Sequence, residues 1–510
     1  MSRSAVLLAL LAFALVGLAP VVSMFLRVDG ADLAAVFQPR TLELLGRTLG
    51  LGLASASLAL CCGGTYGFLV SRTDLPWAGF LRTAGVVPLL LPPLILAVSW
   101  SAMTTIRGGW ATILVMAVST FPLVAMYTAR AFERIDARRE EAALLAGGLG
   151  AVVRMELPLV LPSAACAACF AFCFAINDFT VPDYVSSIGP KYNVYADEVF
   201  SNWRSAGDSG RAVASALPLV LLTLAALIPA IQLRRRTLLD VQGGDFRRPA
   251  PLELGPWRWP AFGLCLALFA VTVAAPLGRL LFEAGGGPRG WSLGAFSSAF
   301  SRSLELGREQ LRTSLWMSTA AALLCLPVAL VLGHALDRSR NFALQAVVLL
   351  PLSVPAILFG IGNIAFWNRP LTGALYDSSW MAVVLMVGRF APLAILALAA
   401  GVAMVDRRQE DAAALAGAPP HRTLLWIVGP QLWGALCGSA TLVFVLSMRE
   451  IDAAVFVPAA NSTAMFKLYN QVHFGREDFV AATALLVVAF VLLPGLLWSL
   501  FVRRRLEVLP

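Results

Sequence analysis

Residues 380–404 read WMAVVLMVGRFAPLAILALAAGVAM, and Arg389 is the one charged side chain among them. A helix needs roughly 20 apolar residues to cross a hydrocarbon core of about 30 Å, and this stretch supplies them. Comparable windows lie near 5–25, 48–70, 79–104, 110–131, 159–181, 212–233, 259–282, 313–336, 342–367, 432–456 and 479–501. Lipid offers no partners to backbone N–H and C=O groups, so such windows become helices that satisfy their own backbone. An all-α polytopic membrane protein of about twelve spans is the expected fold. Composition agrees: of 510 residues 59% are hydrophobic and 14% charged, against about a quarter charged in soluble domains.

The stretch following Arg3 resembles a signal peptide, but its apolar run is longer than an h-region and lacks a small-residue exit, so it reads as a first span. The eight cysteines (Cys61, Cys62, Cys166, Cys169, Cys173, Cys265, Cys325 and Cys437) all fall in apolar runs, where disulfides are not expected. Cys166, Cys169 and Cys173 share one helix face. A metal site and small packing residues are both compatible with that spacing, and packing is the ordinary use.

The net charge of +9 comes almost wholly from arginine, since Lys191 and Lys467 are the only lysines. No aromatic-basic cluster accompanies it, so no nucleic-acid partner is expected. Twelve spans place both termini on one side. The gaps on that side hold Arg72, then Arg134, Arg138, Arg139 and Arg154, then Arg234, Arg235 and Arg236 with Arg247 and Arg248. They continue with Arg338, Arg340, Arg407, Arg408 and the run 503–505. The positive-inside rule therefore puts both termini in the cytoplasm of a bacterial inner membrane.

The chain repeats itself. RTLGLGLASASLAL from Arg47 answers RTSLWMSTAAALLC from Arg312, Pro88 and Pro92 answer Pro351 and Pro355, and IDARREEAALLAG (135–147) answers VDRRQEDAAALAG (405–417). Pro158 then answers Pro430, and Asp178 answers Glu450. The spacing drifts only slightly, as in a duplicated unit. Six spans per copy return the chain to the same side, so the halves 1–240 and 259–510 have parallel topology, related by a pseudo-two-fold axis along the membrane normal. The polar, Pro- and Gly-rich residues 241–258 form a cytoplasmic linker.

The repeated loops, about 133–158 and 405–430, each predict a short helix. Asp136 and Asp406 are N-caps, and Gln409 completes a capping-box pattern. Glu140, Glu141, Glu410 and Asp411 place negative charge near the helix N-terminus, where the macrodipole favours it. Ala142, Ala143, Ala412 and Ala413 supply helix propensity without bulk. Gly147 and Gly417 are natural residues just past the helix end, with Pro419 and Pro420 preventing continuation in the second copy. A thin, acid-marked helix projecting from the membrane suits a groove on a partner.

Asp411-Ala412-Ala413 with Gly417, Ile427 and Pro430, and Glu141-Ala142-Ala143 with Gly147, resemble the EAA loop of ABC importer permeases. Asp411 stands where that family usually has Glu, and Leu157-Pro158 comes two residues early. SRTDLPWAG (71–79), the paired prolines and MREIDAAVFV (448–457) are similar to the fused two-half permeases of binding-protein-dependent ferric iron importers. The resemblance implies a type I ABC importer permease fold. It further implies coupling through Glu140, Glu141, Ala142, Ala143, Gly147, Glu410, Asp411, Ala412, Ala413 and Gly417 to two copies of a separate ABC ATPase. A periplasmic substrate-binding protein would deliver the cargo. Thiamine, polyamine, phosphonate and sulfate remain alternative substrates.

A P-loop needs Gly-x4-Gly-Lys-Ser/Thr, whereas Lys191 precedes Tyr192 and Lys467 precedes Leu468. The chain is therefore expected to bind no cofactor of its own, with ATP used by the partner. Ionisable groups inside spans are functional candidates because burying them is costly. Asn177 and Asp178, with Arg449, Glu450 and Asp452, occupy equivalent outer ends of the fifth and eleventh spans. Two readings fit: carboxylates lining a pathway for a hard cation such as ferric iron, or acids neutralised by Arg389 or Arg449. Asn363 is similarly ambiguous, and no metal-ligand set is specified. Loops 183–211 and 458–478 are candidate docking surfaces for a binding protein. The competing class is a major-facilitator-type carrier, also built from two parallel six-span halves. SRTDLPW, however, lacks that family's Gly-Asp-Arg-Gly-Arg-Arg pattern, and such a carrier has no reason to keep the repeated loop.

Overall fold

The computed structural model describes residues 3–26, 29, 39–206, 209–238, 247, 249–286, 290–339, 341–458, 462–473 and 477–506. Every apolar window is helical, and among the described residues the one β-type pairing is a parallel bridge between Thr73 and Leu252. Among the described residues eight helices are long and apolar enough to cross a membrane, eleven if each of three bent pairs counts as one span. A shorter apolar helix, Asp478–Leu493, occupies the last window.

Two of the bends are copies of each other. Ala78–Leu90 meets Pro93–Met103 at 97°, and Phe342–Ser353 meets Ala356–Trp367 at 99°. Proline disfavours the α region for the residue before it. Leu91, before Pro92, accordingly sits at ψ 136°, and Val354, before Pro355, at ψ 126°. A third bend, 80° between Pro420–Gln431 and Trp433–Met448, has no counterpart in the unbroken Gly150–Asn177.

The second span of each half outruns its apolar window. Pro39–Arg72 has 34 residues and Leu293–Ser339 has 47. At 1.5 Å per residue these are about 50 and 70 Å long, well beyond a hydrocarbon core. Their C-terminal ends deliver Arg72 and Arg338 to the repeated loops.

Contacts divide the chain into two compact units that cross the sequence halves. One comprises Met1–Val36, Val199–Ala216 and Ser297–Pro510; the other comprises Phe37–Glu198 and Leu217–Phe296. In the first unit, the leading helix Ser4–Phe25 packs on helices of the second sequence half. A Cβ on Gly362 would stand 2.6 Å from the Pro20 carbonyl oxygen, and one on Gly388 would overlap that of Val16. In the other unit, Gly255–Gly285 packs on the first half, with Phe262 against Trp77 and Phe269 against Phe80. Each unit thus takes its leading helix from the opposite sequence half. Helices in lipid associate where small residues admit close approach rather than by chain order.

Candidate functional site

The second loop helix, Arg407–Leu415, starts at Asp406, whose carboxylate accepts the Arg408 N–H at 2.9 Å. It ends in a Schellman turn. Gly417 takes φ +78°, its N–H donates to the Ala414 carbonyl at 3.0 Å, and the Ala418 N–H donates to that of Ala413 at 2.9 Å. Gln409 does not close the expected capping box. Its Oε1 accepts instead from Gln431 Nε2 at 2.7 Å, because the following helix offers it a donor.

The first loop starts the same way, Asp136 accepting the Arg138 N–H at 2.9 Å. Its end differs from the expectation. Gly147 is extended at φ −175°, and the left-handed position falls on Gly148 at φ +64°. Adjacent glycines let the reversal slip by one residue. No proline stands where the second loop has Pro419 and Pro420, so the helix resumes and runs on to Asn177.

The paired acids have divided tasks. Glu140 and Glu410 turn inward. Arg72 reaches Glu140 at 2.7 Å and Glu156 at 3.2 Å, with all three side chains buried. Arg338 reaches Glu410 at 2.6 Å, and His334 Nε2 meets the same carboxylate at 2.7 Å. Burial pushes the Glu410 carboxyl up, but hydrogen bonds from His334 and Arg338 outweigh it and hold the group below the ordinary carboxylate range. Glu141 and Asp411 turn outward and are exposed. Leu145 and Leu415, one turn further on and each 91% exposed, share their face. Ala142 and Ala412 are exposed, while Ala143 is half-buried and Ala413 buried, so one side of each helix rests on the body and the other is presented.

Sequence reasoning counted Arg72 and Arg338 only as positive-inside charges. Their matched places at the ends of the second spans were the signal that pairs them with the loops. It also read 241–258 as a plain linker, whereas its described part is ordered against the first loop. Leu252 donates its N–H to the Arg72 carbonyl at 2.7 Å and accepts the Asp74 N–H at 3.2 Å. Leu254 donates to Asp74 Oδ1 at 3.0 Å, and Arg72 Nη1 donates to the Ala250 carbonyl at 2.9 Å. The Ala137 N–H, unpaired within its helix, donates to the Arg247 carbonyl at 2.9 Å.

The span-end polar residues are engaged locally. Asp178 ends Gly150–Asn177 and accepts from the Val181 N–H at 2.9 Å and the Thr180 hydroxyl at 3.2 Å. Glu450 accepts the Ala453 N–H at 2.7 Å and pairs with Arg389 at 3.1 Å. Both carboxylates thus cap the turn three residues on, and Glu450 is neutralised by Arg389 rather than left open. Asn177 Nδ2 donates to the Cys173 carbonyl at 2.8 Å and to Thr223 Oγ1 at 3.1 Å. Asn363 is fully buried and donates to the Phe359 carbonyl at 2.7 Å. Arg449 caps Trp433–Met448, and Asp452 lies half-buried beyond it.

Residues 325–507 match the family described as binding-protein-dependent transport system inner membrane component. The chain is a permease of binding-protein-dependent transport. Over 482 residues, 89% of either chain, this permease is 23% identical to the Fe(3+)-transport system permease protein FbpB 2 of Haemophilus influenzae. It is 24% identical over 349 residues to the ferric transport system permease protein FbpB of Actinobacillus pleuropneumoniae, covering 64% of this chain and 48% of that relative. It is 29% identical over 160 residues to the molybdate/tungstate transport system permease protein WtpB of Thermococcus kodakarensis, covering 31% of this chain and 63% of that one.

The permease is a multi-pass inner-membrane protein and a transport subunit. The matched segment contains the second repeated loop, the Pro355 break and Glu450. Its eight cysteines are all free thiols, and Cys173 lies 3.8 Å from the Thr223 carbonyl oxygen within a helix packing. Among the described residues no three His, Cys, Asp or Glu side chains converge on a metal-sized site.

Proposed function

We propose that this permease forms the translocation pathway of an ABC importer for ferric iron and is driven by two separate ATPase subunits. Each ATPase would receive one loop helix at the cytoplasmic face, where both termini also lie. A periplasmic binding protein would load the opposite face through loops such as 183–211. The observation that carries this reading is the repeated pairing of Glu141 with Leu145 and of Asp411 with Leu415 on exposed helix faces. An Arg–Glu pair behind each face, buried in the first loop and half-buried in the second, fixes its direction. An acid beside an apolar side chain on a rigid, thin helix fits a groove with a basic rim. Closure of the ATPases on ATP would then alternate the two membrane halves between inward and outward access.

Ferric iron is the substrate named for relatives that align with most of this chain. Asp178 and Glu450 are then positioning residues for the span ends rather than open cargo ligands, since their oxygens already serve as turn caps and Glu450 carries an ion pair.

The test is purification with the ATPase and reconstitution with the binding protein. The double variant E141K/D411K is expected to lose the ATPase and ATP-dependent uptake of labelled ferric iron together. Uptake driven by a proton gradient without any ATPase would overturn the importer reading. Uptake of molybdate but not iron would overturn the substrate alone.

A further inference from the structure

The segment joining the two sequence halves meets the end of the second span through a single parallel β-bridge, Leu252 to Thr73. Residues 249–254 read PAPLEL. The backbone groups that bond to Arg72 and Asp74, at the end of the second span, are the carbonyl of Ala250, both groups of Leu252 and the N–H of Leu254. Pro249 and Pro251 alternate with them, so the residues without an N–H fall where none is used. A proline also holds the residue before it extended, which keeps Ala250 in register.

This segment reaches the first docking loop both directly, from Arg247, and through Arg72. It lies along Arg72–Asp74; Arg72 in turn holds Glu140 and Glu156; and the Arg247 carbonyl caps Ala137 at the helix start. Arg247 also reaches the outward acid Glu141 at 3.4 Å. The second loop is held by other means: His334 and Arg338 take Glu410, and Arg338 Nη2 donates to the Val405 carbonyl at 3.0 Å. Asp411 makes no ion pair among the described residues.

We propose that the inter-half segment, Arg247 with 249–254, is a positioning element of the first ATPase-docking helix alone. The two docking helices are then unequal: the first depends on the segment that fuses the halves, and the second does not. This rests on the docking reading above. A photoreactive benzoylphenylalanine at Leu145 or at Leu415, in the full chain with its ATPase, reports each helix separately. L252P removes the N–H that bonds Arg72. L252A keeps that N–H, and E253P places proline where no bonded N–H is lost.

L252P is expected to lower cross-linking from position 145 about fivefold, the worth of one hydrogen bond, and to leave position 415 unchanged. L252A and E253P are expected to match the parent at both positions. If L252P fails to accumulate in membranes, replacing 249–254 by alternating Gly and Ser makes the same comparison. An equal fall at both positions, or no fall at either, overturns the proposal while leaving the docking reading standing. Absence of cross-linking from both positions in the parent sinks the docking reading and this inference with it.

Discussion

Arg72 lies 2.7 Å from Glu140, and Arg338 lies 2.6 Å from Glu410, so one ion pair closes the repeated loop in both halves. The surroundings differ. Arg72 is shared by two buried carboxylates, whereas Glu410, itself half-buried, is shared by buried His334 and half-buried Arg338. Removing one partner of a buried pair leaves an uncompensated charge, at a cost of about 3–5 kcal/mol. R72A strands two acids and is expected to lose stability in that range. R338A leaves His334 on Glu410 and is expected to lose less, about 1.5–3 kcal/mol, as for hydrogen bonds to a charged group. Denaturant unfolding in detergent measures both, and equal losses would contradict the asymmetry.

The ends of the two loops separate three glycines that look alike in sequence. A Cβ is strained at positive φ, by roughly 1–2 kcal/mol in the left-handed region. G417A and G148A are therefore expected to destabilise their loops by about that amount, with φ at +78° and +64°. Gly147 is extended at φ −175° and a Cβ there meets only the Ala151 Cβ, at 3.2 Å, so G147A is expected to cost less than either. Amide exchange across 407–418 and 137–148 reads the difference.

Acid should loosen the second loop through Glu410. Burial alone would raise this carboxyl, but its bonds to His334 and Arg338 lower it overall. The unfolded chain then takes up the proton before the folded one as pH falls. The stabilisation is present above the ordinary Glu value of about 4.3 and is lost as pH drops through the folded value. Between pH 6 and 3 the parent is expected to lose stability more steeply than E410Q. Parallel curves would remove Glu410 from this role.

Hydropathy and the internal repeat made the spans legible, because lipid leaves an apolar window few choices but a helix. The partners of those helices were not legible. Ser4–Phe25 packs where Gly362 and Gly388 leave room, and chain order holds no record of that. The loops were legible as helices but not in phase. Glu140 and Glu141 are adjacent letters, yet successive residues lie about 100° apart around a helix, so one turns to Arg72 and the other outward. The linker's polar, proline-rich composition hid its bridge to the first half, because its alternation makes sense only beside Arg72–Asp74.

The twin breaks at Pro92 and Pro355 test whether the bends belong to the prolines or to their surroundings. The bends measure 97° and 99° despite different residues around them, which points to the shared proline. P355A restores an N–H and frees Val354 to adopt helical ψ, so the two short helices can join. The buried positions of Val354 and Ala356 oppose that, since straightening would withdraw them from their packing. The expected outcome is a bend retained on average with a broadened angle, seen as a wider distance distribution between spin labels at Phe342 and Trp367. P92A should behave alike, with labels at Ala78 and Met103. A sharp distribution unchanged from the parent in both variants would assign the bend to packing, and a single longer distance would assign it to proline alone.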